Sequence, residues 1–82
     1  MSEQEVFTKV CAIIEPFVQN EQAFRDITME TSILEDLKVN SARLVDVVLE
    51  IEDAFDIEVS DEQADTVRTI GSAVHLIVEA TK

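Results

Sequence analysis

The sequence has few of the residues that make turns, crosslinks and aromatic sites. Its 82 residues include one glycine, one proline, one cysteine and four phenylalanines, but no tryptophan or tyrosine. A single cysteine excludes an intrachain disulfide, and so few glycines and prolines argue against a sandwich or other loop-rich fold. No apolar run approaches a membrane span, and the beginning, MSEQEVFTKV, lacks the unbroken apolar segment of a signal peptide. We therefore expect one cytoplasmic domain over residues 1–82.

Basic residues are scarce as well. Six lysines and arginines stand against eighteen aspartates and glutamates, which gives a formal net charge of −12 and an isoelectric point near 4.1. Eleven of the acidic residues lie between Glu35 and Asp65, where Lys38 and Arg43 are the only bases. Such a surface repels nucleic-acid phosphates and anionic lipid headgroups and attracts basic protein patches. We expect a monomer that binds proteins with basic patches, without nucleic acid and without membrane insertion.

Apolar residues recur with the period of an α-helix in three segments, which predicts three principal helices. The first begins at a capping serine, Ser2, and Pro16 should kink or end it because proline lacks the amide donor. The second begins at Asn40 or Ser41, whose side-chain oxygen can accept a free first-turn amide. The last begins at Thr69. The three apolar stripes comprise Phe7, Val10, Cys11, Ile14, Phe17 and Val18; Leu44, Val47, Val48, Ile51 and Phe55; and Ile70, Ala73, Val74, Ile77 and Val78.

Two further segments complete the predicted fold. Ser60 and Gln63 have the spacing of a capping box, which predicts a short helix through about Val67. Residues 20–40 contain apolar residues without a sustained period, so we expect a long ordered loop pinned by apolar side chains, with a helical turn near residues 21–26. The sequence therefore predicts an all-α four-helix bundle with a short third helix and a long loop between the first two helices.

The residue types present argue against catalysis. A serine nucleophile needs a neighbouring base, and the only histidine, His75, falls in the last helix, where a solvated or partly packed role is the simpler interpretation. No nucleophile elbow, phosphate-binding loop or dinucleotide motif occurs. A calcium loop starting at Asp53 would lack the glycine at its sixth position and the glutamate at its twelfth. We expect neither an enzyme nor a dedicated metal site.

The second helix has two features that suggest binding. Val45 and Leu49 lie beside its core stripe, and they either widen the buried face or form an apolar strip for a partner. Acidic residues border this strip, and such charges mainly set association rate and specificity. Ser41 at the N-terminus is either a simple helix cap or an attachment point for a phosphate, which free amides and the macrodipole favour there. The bordering acids are Asp46, Glu50, Glu52 and Asp53.

Residues 32–77 resemble the acyl carrier proteins of fatty-acid and polyketide synthesis. The matching features are Leu34-Glu35-Asp36-Leu37, Ser41, Val45, Glu52, Phe55-Asp56, Asp61-Glu62, Ala64, Thr69, Ala73 and Ile77. Residues 1–31 resemble the family only in their helical pattern. The resemblance implies a four-helix bundle that is not an enzyme. It also implies that acyl groups ride as thioesters on 4'-phosphopantetheine, which a separate transferase attaches from coenzyme A.

The resemblance also implies roles for individual residues. Ser41 matches the serine that receives phosphopantetheine, with Asn40, Lys38 and Arg43 as candidate neighbours of its phosphate. The surface shown to the phosphopantetheinyl transferase and to acyl-loading and acyl-processing enzymes matches Ala42, Val45, Asp46, Leu49, Glu52 and Asp53. The pocket for the acyl chain matches Leu44, Val48 and Ile51.

The chain departs from the family pattern around Ser41. The family's Asp-Ser-Leu is Asn40-Ser41-Ala42, the glycine usual three residues before the serine is Lys38, and the often acidic position two residues after it is Arg43. The two bases are expected to lie near the phosphate, or to select an unusual partner or an anionic acyl chain. These departures favour a specialised carrier in a fatty-acid, lipid or polyketide pathway. The alternative is an unmodified, carrier-like acidic helical adaptor.

Overall fold

The structure is a computed structural model that describes residues 2–81. These residues form five α-helices and two short 3₁₀ turns: α1 (Glu3–Ile14), η1 (Glu15–Phe17), α2 (Glu21–Arg25), η2 (Ser41–Arg43), α3 (Leu44–Phe55), α4 (Asp61–Ala64) and α5 (Ile70–Ala80). The four predicted helices are α1, α3, α4 and α5, and α2 is the helical turn predicted within the long loop. An isolated bridge between Ser32 and Thr69 is the nearest approach to a strand in this part of the chain.

Side-chain caps begin three of the helices at the predicted serines and threonine. Ser2 and Thr69 each accept a first-turn amide at the start of α1 and α5. At α4 the capping box is complete, because the Ser60 hydroxyl accepts from the Gln63 amide at 3.2 Å and the Gln63 side chain accepts from the Ser60 amide at 3.1 Å. This helix ends at Ala64, about one turn earlier than predicted. The box therefore satisfies the first-turn amides of a helix too short to persist without tertiary support.

The first helix ends before Pro16, as predicted. Pro16 lies within the 3₁₀ turn η1, where its missing amide removes the bond that would continue the α-helix. The turn brings Phe17 to the head of α3, where the centroid of its ring lies 5.9 Å from the Arg43 guanidinium carbon.

The hydrophobic core lies between α1, α3, α5 and the long loop. Each predicted stripe supplies fully buried side chains, while its other members pack at the border of the core or half exposed. Val6, which was not assigned to a stripe, is also buried. The buried stripe members are Val10, Ile14, Val47, Val48, Ile51, Ile70, Ala73, Val74 and Ile77.

Cys11 lies at the border of this core with a free thiol that is only partly buried. Burial raises the pKa of the Cys11 thiol above its ordinary value. This environment disfavours the reactive thiolate and fits the place of Cys11 on the apolar stripe of the first helix.

The long loop is ordered by apolar anchors and by hydrogen bonds to the start of α5. The Ile70 amide donates to the Thr31 carbonyl at 3.0 Å, and the Gly71 amide donates to the Met29 carbonyl at 2.7 Å. A β-carbon on Gly71 would lie 2.8 Å from the Met29 oxygen, so the chain's single glycine allows the loop backbone to approach the helix closely. The buried loop anchors are Ile33, Leu37 and Val39.

The acidic side chains do not assemble into a metal site in the part of the chain that the structure describes. No group of three or more histidine, cysteine, aspartate or glutamate side chains among residues 2–81 is placed to hold an ion. The candidate calcium loop that would begin at Asp53 is divided between the end of α3 and the whole of α4. Across the same residues, none of the helices has the length and apolar character needed to cross a bilayer.

Candidate functional site

Ser41 opens a 3₁₀ turn, η2, that leads directly into α3. Asn40 caps this turn, because its side-chain oxygen accepts from the Ala42 amide at 2.8 Å and its carbonyl accepts from the Arg43 amide at 2.8 Å. The Ser41 side chain is exposed, and its hydroxyl takes part in no hydrogen bond with residues 2–81. The sequence allowed either Asn40 or Ser41 as the cap of this helix, and the structure shows that it is Asn40. The Ser41 hydroxyl is therefore free to react.

Lys38 adopts a left-handed backbone conformation, with φ of 59°. It stands between two buried anchors, Leu37 and Val39, so the loop cannot relax this angle without moving core side chains. The left-handed region costs a residue with a β-carbon roughly 1–2 kcal/mol, whereas glycine enters it freely. This left-handed angle explains why the family pattern has a glycine at this position. The chain has a lysine there in spite of the strain.

The guanidinium of Arg43 is engaged by its own chain. Its Nη1 donates to Asp46 Oδ2 at 3.0 Å, and its carbon lies over the Phe17 ring. Lys38, in contrast, has no ion-pair partner within residues 2–81. Lys38 and Arg43 are the two bases expected to lie near the phosphate. Within the described part of the chain, Lys38 is the one of the two whose charge is not paired.

An apolar strip runs along α3 from Ser41. Val45 and Leu49, each one helical turn further on, are 63% and 56% exposed and are the large apolar side chains that stay in solvent among the described residues. Side chains spaced by four residues lie on one helix face. The interpretation that these residues widen the buried face is therefore wrong, and an exposed strip is present. Ala42 and Asp53 are also exposed on this helix and its leading turn.

Two of the acids that border the strip also make contacts within the chain. Asp46 is paired with Arg43, and Glu52 accepts a hydrogen bond from the Val59 amide at 3.3 Å. The Glu52 bond ties the segment after α3 back onto the helix. The sequence did not indicate the Glu52 contact, since it depends on where the segment after α3 packs, whereas the Arg43–Asp46 pair has the three-residue spacing of neighbours on a helix.

A cavity of about 300 Å³ lies beside Ser41, between α3 and α4. Leu44 and Val48, two of the residues that match the family's acyl pocket, line this cavity, whereas Ile51 is buried in the core and is not part of its wall. Sequence reasoning missed the wall formed by α4 and the segment before it; the match at Ala64 was the available signal. The full lining is Ser41, Leu44, Val45, Val48, Leu49, Glu52, Val59, Asp61, Ala64 and Asp65.

A larger depression, about 730 Å³, lies elsewhere on the molecule. It follows one side of α5 around His75 and Leu76 and includes Met29, but it does not reach Ser41. His75 is exposed there, in agreement with the solvated role expected for it. The smaller cavity is the one that adjoins the free hydroxyl.

Comparison with known proteins gives consistent matches. Residues 20–77 match the family model described as a phosphopantetheine attachment site. The chain is 37% identical over 82 residues to the acyl carrier protein of Prochlorococcus marinus (strain MIT 9515), covering 100% of this chain and 99% of that protein. It is 37% identical over 78 residues to the acyl carrier protein of Lactobacillus acidophilus, covering 94% of each. A solved structure of the acyl carrier protein from Enterococcus faecalis matches with a TM-score of 0.79 and 38% identity, covering 98% of this chain and 99% of that one.

The helical fold, the family model and the solved structure together define this chain as a carrier protein with a phosphopantetheine group. The chain belongs to the acyl carrier protein family. Members of this family are carriers and not enzymes, their prosthetic group is covalently attached phosphopantetheine, and they interact with acyl-processing enzymes and with phosphopantetheinyl transferase. The predicted family, fold, cofactor and non-enzymatic role are confirmed.

Proposed function

We propose that Ser41 is the residue that carries 4'-phosphopantetheine, and that the protein holds acyl intermediates as thioesters on this arm and presents them to partner enzymes. The observation that carries the assignment is the exposed Ser41 hydroxyl, left unbonded within residues 2–81 because Asn40 caps the turn. When bound, the group supplies a flexible arm with a terminal thiol for the acyl chain. The protein's own contribution is to fix the turn that presents the hydroxyl.

The surroundings of Ser41 fit such a group. The head of α3 favours an anionic phosphate through the helix dipole, and the uncommitted charge of Lys38 lies three residues before the serine. The adjoining cavity of about 300 Å³ has Leu44 and Val48 in its wall, which supports a resting place for an apolar acyl chain. Ile51 is buried in the core and does not line the cavity.

The strip on α3 supports a docking surface for partner enzymes. Val45 and Leu49 supply exposed apolar contacts, while Asp53 and the acids around it attract basic residues on a partner. Partner enzymes on this account are the transferase and the enzymes that load and process acyl groups. Ala42 is a smaller contact next to the serine than the leucine of the usual pattern, so a partner must reach further toward α3.

The replacement of the usual Asp-Ser-Leu by Asn40-Ser41-Ala42 supports a specialised carrier, in a fatty-acid, lipid or polyketide pathway, over a general one. The strained Lys38 also supports a specialised carrier, because a lysine with a left-handed backbone angle, where glycine would be unstrained, implies a use for its charge. The proposal retains the single cytoplasmic domain and the monomeric state expected from the sequence.

The deciding experiment is the intact mass of the protein from its native cells and after incubation with coenzyme A, magnesium and a permissive transferase. We expect a phosphopantetheine increment on the wild type and none on Ser41→Ala. Ser2→Ala is the matched control, because Ser2 is also an exposed serine at the start of a helix, and it should be modified normally. A wild type that stays unmodified under all conditions would support the adaptor instead.

A further inference from the structure

The turn that presents Ser41 is held mainly by its backbone. Asn40 accepts the amides of Ala42 and Arg43, but the side chains of Ser41 and Ala42 are exposed. Among residues 2–81, the hydrogen bonds and ring contacts made by side chains of this turn all come from Arg43. Arg43 therefore supplies the side-chain contacts of the turn itself, in addition to the Asn40 cap and to the Leu44 amide, which donates to the Ser41 carbonyl.

Arg43 connects the turn to two different elements. Its Nη1 lies 3.0 Å from Asp46 Oδ2, one turn into α3, and its guanidinium carbon lies 5.9 Å from the centroid of the Phe17 ring in η1. The planar guanidinium can donate from its edge and stack through its face at the same time. A single side chain thus spans the head of α3 and the end of the first helical segment.

We propose that Arg43 is a positioning residue, which clamps the Ser41 turn between Asp46 and Phe17 so that the hydroxyl is presented in one conformation. This inference rests on Ser41 as the attachment site. It replaces the expectation that Arg43 neighbours the phosphate, because the guanidinium is already engaged by Asp46 and Phe17.

The clamp is modest in strength, which sets the size of the expected effects. The Arg43 and Asp46 side chains are 64% and 45% exposed, so their ion pair is screened by solvent. A cation over a ring at an exposed site is similarly weak. Loss of both contacts should open the turn roughly three- to fivefold more often, without unfolding the protein.

The first test is amide hydrogen exchange, measured by NMR on the unmodified protein. The Ala42 and Arg43 amides report directly on the turn, since both are bonded to Asn40. In Arg43→Gln we expect them to exchange about three to five times faster than in the wild type. Lys9→Gln is the matched control: it also removes one positive charge and one cation–ring contact, at 5.7 Å from Phe55 at the far end of α3, and should leave these amides unchanged.

The second test is the kinetics of modification by the transferase. The more often the turn is open, the smaller the fraction of the carrier that is competent for modification, so the KM for the carrier should rise, by at most about three- to fivefold, while kcat changes less than twofold. Phe17→Leu removes only the ring contact and should have a smaller effect in the same direction. The double variant with Arg43→Gln should be no worse than Arg43→Gln alone, because the arginine change already removes that contact. Arg43→Lys should rescue only partly, since an ammonium lacks the planar face.

Three results would overturn the clamp. These are unchanged exchange in Arg43→Gln, a normal KM despite faster exchange, or full rescue of modification by Arg43→Lys, which would indicate a role for charge alone. A wild type that no transferase modifies would instead remove the assignment of Ser41. In that case the exchange measurement alone would decide whether Arg43 holds the turn.

Discussion

Lys38 has a strained backbone conformation that the composition of the chain does not reveal. Its φ of 59° is left-handed, and its neighbours Leu37 and Val39 are buried, so the angle is imposed by the core. Asp56 has a similar φ of 54° at the end of α3, but aspartate tolerates this region better than lysine because its short side chain can bond locally. The two positions therefore differ in strain although their angles agree.

Replacing Lys38 with glycine should stabilise the protein. We expect the free energy of unfolding of Lys38→Gly to exceed that of Lys38→Ala by roughly 0.5–1 kcal/mol, because relief of the left-handed strain outweighs the extra freedom of glycine in the unfolded chain. Urea denaturation of both variants measures the difference, and the alanine variant controls for the lost charge. Equal stabilities would show that the loop relaxes around this residue.

At the scale of elements, the start of α5 depends on a close approach by the long loop. The Gly71 amide donates to the Met29 carbonyl at 2.7 Å, and an added β-carbon would meet that same oxygen at 2.8 Å. Real side-chain contacts do not come this near, so the loop or the helix would have to shift and stretch the hydrogen bond. Helix propensity alone favours alanine over glycine by about 1 kcal/mol. At Gly71 this gain in helix propensity opposes the cost of the close contact with Met29.

Gly71→Ala should destabilise the protein despite its better helix propensity. We expect a loss of roughly 1–2 kcal/mol in the free energy of unfolding, because the new methyl group overpacks a backbone contact that cannot swing away. Thermal and urea denaturation would measure it, with His75→Gln, an exposed position on the same helix, as a control expected to change stability by less than about 0.5 kcal/mol. A stabilised Gly71→Ala would mean that the loop yields easily.

At the scale of the whole molecule, the net charge of −12 acts over the entire fold. The molecule measures 32 × 26 × 18 Å. The Debye length is about 30 Å at 0.01 M salt and about 8 Å at 0.15 M. At low salt nearly every carboxylate therefore repels every other, whereas at physiological salt only neighbours do.

Salt should consequently stabilise the protein. Between about 0.01 M and about 0.15 M sodium chloride we expect the melting temperature to rise by several degrees, and divalent cations should raise it at lower concentration because they accumulate more strongly at an acidic surface. Glu50→Gln combined with Asp53→Asn, both exposed on α3, should melt higher at low salt and respond less to added salt. A melting temperature independent of salt in the wild type would contradict charge repulsion as a cost of the fold.

The sequence by itself determined the properties that come from local patterning. The helical period located α1, α3 and α5, because an apolar stripe of that spacing can be buried only as a helix. Ser2, Ser60 and Thr69 marked helix beginnings, since their oxygens satisfy amides of the very next turn. The acidic charge was equally plain, and the family followed from the matching residues between 32 and 77, Ser41 among them.

Only the tertiary structure decided the features that depend on contacts between distant segments. The left-handed angle of Lys38 and the exposure of Val45 and Leu49 both follow from which surfaces the other elements cover. The cavity beside Ser41 exists because α4 packs near α3, and Arg43 meets Phe17 because Pro16 ends the first helix where it does. Periodicity shows which side of a helix is apolar, but not what packs against it.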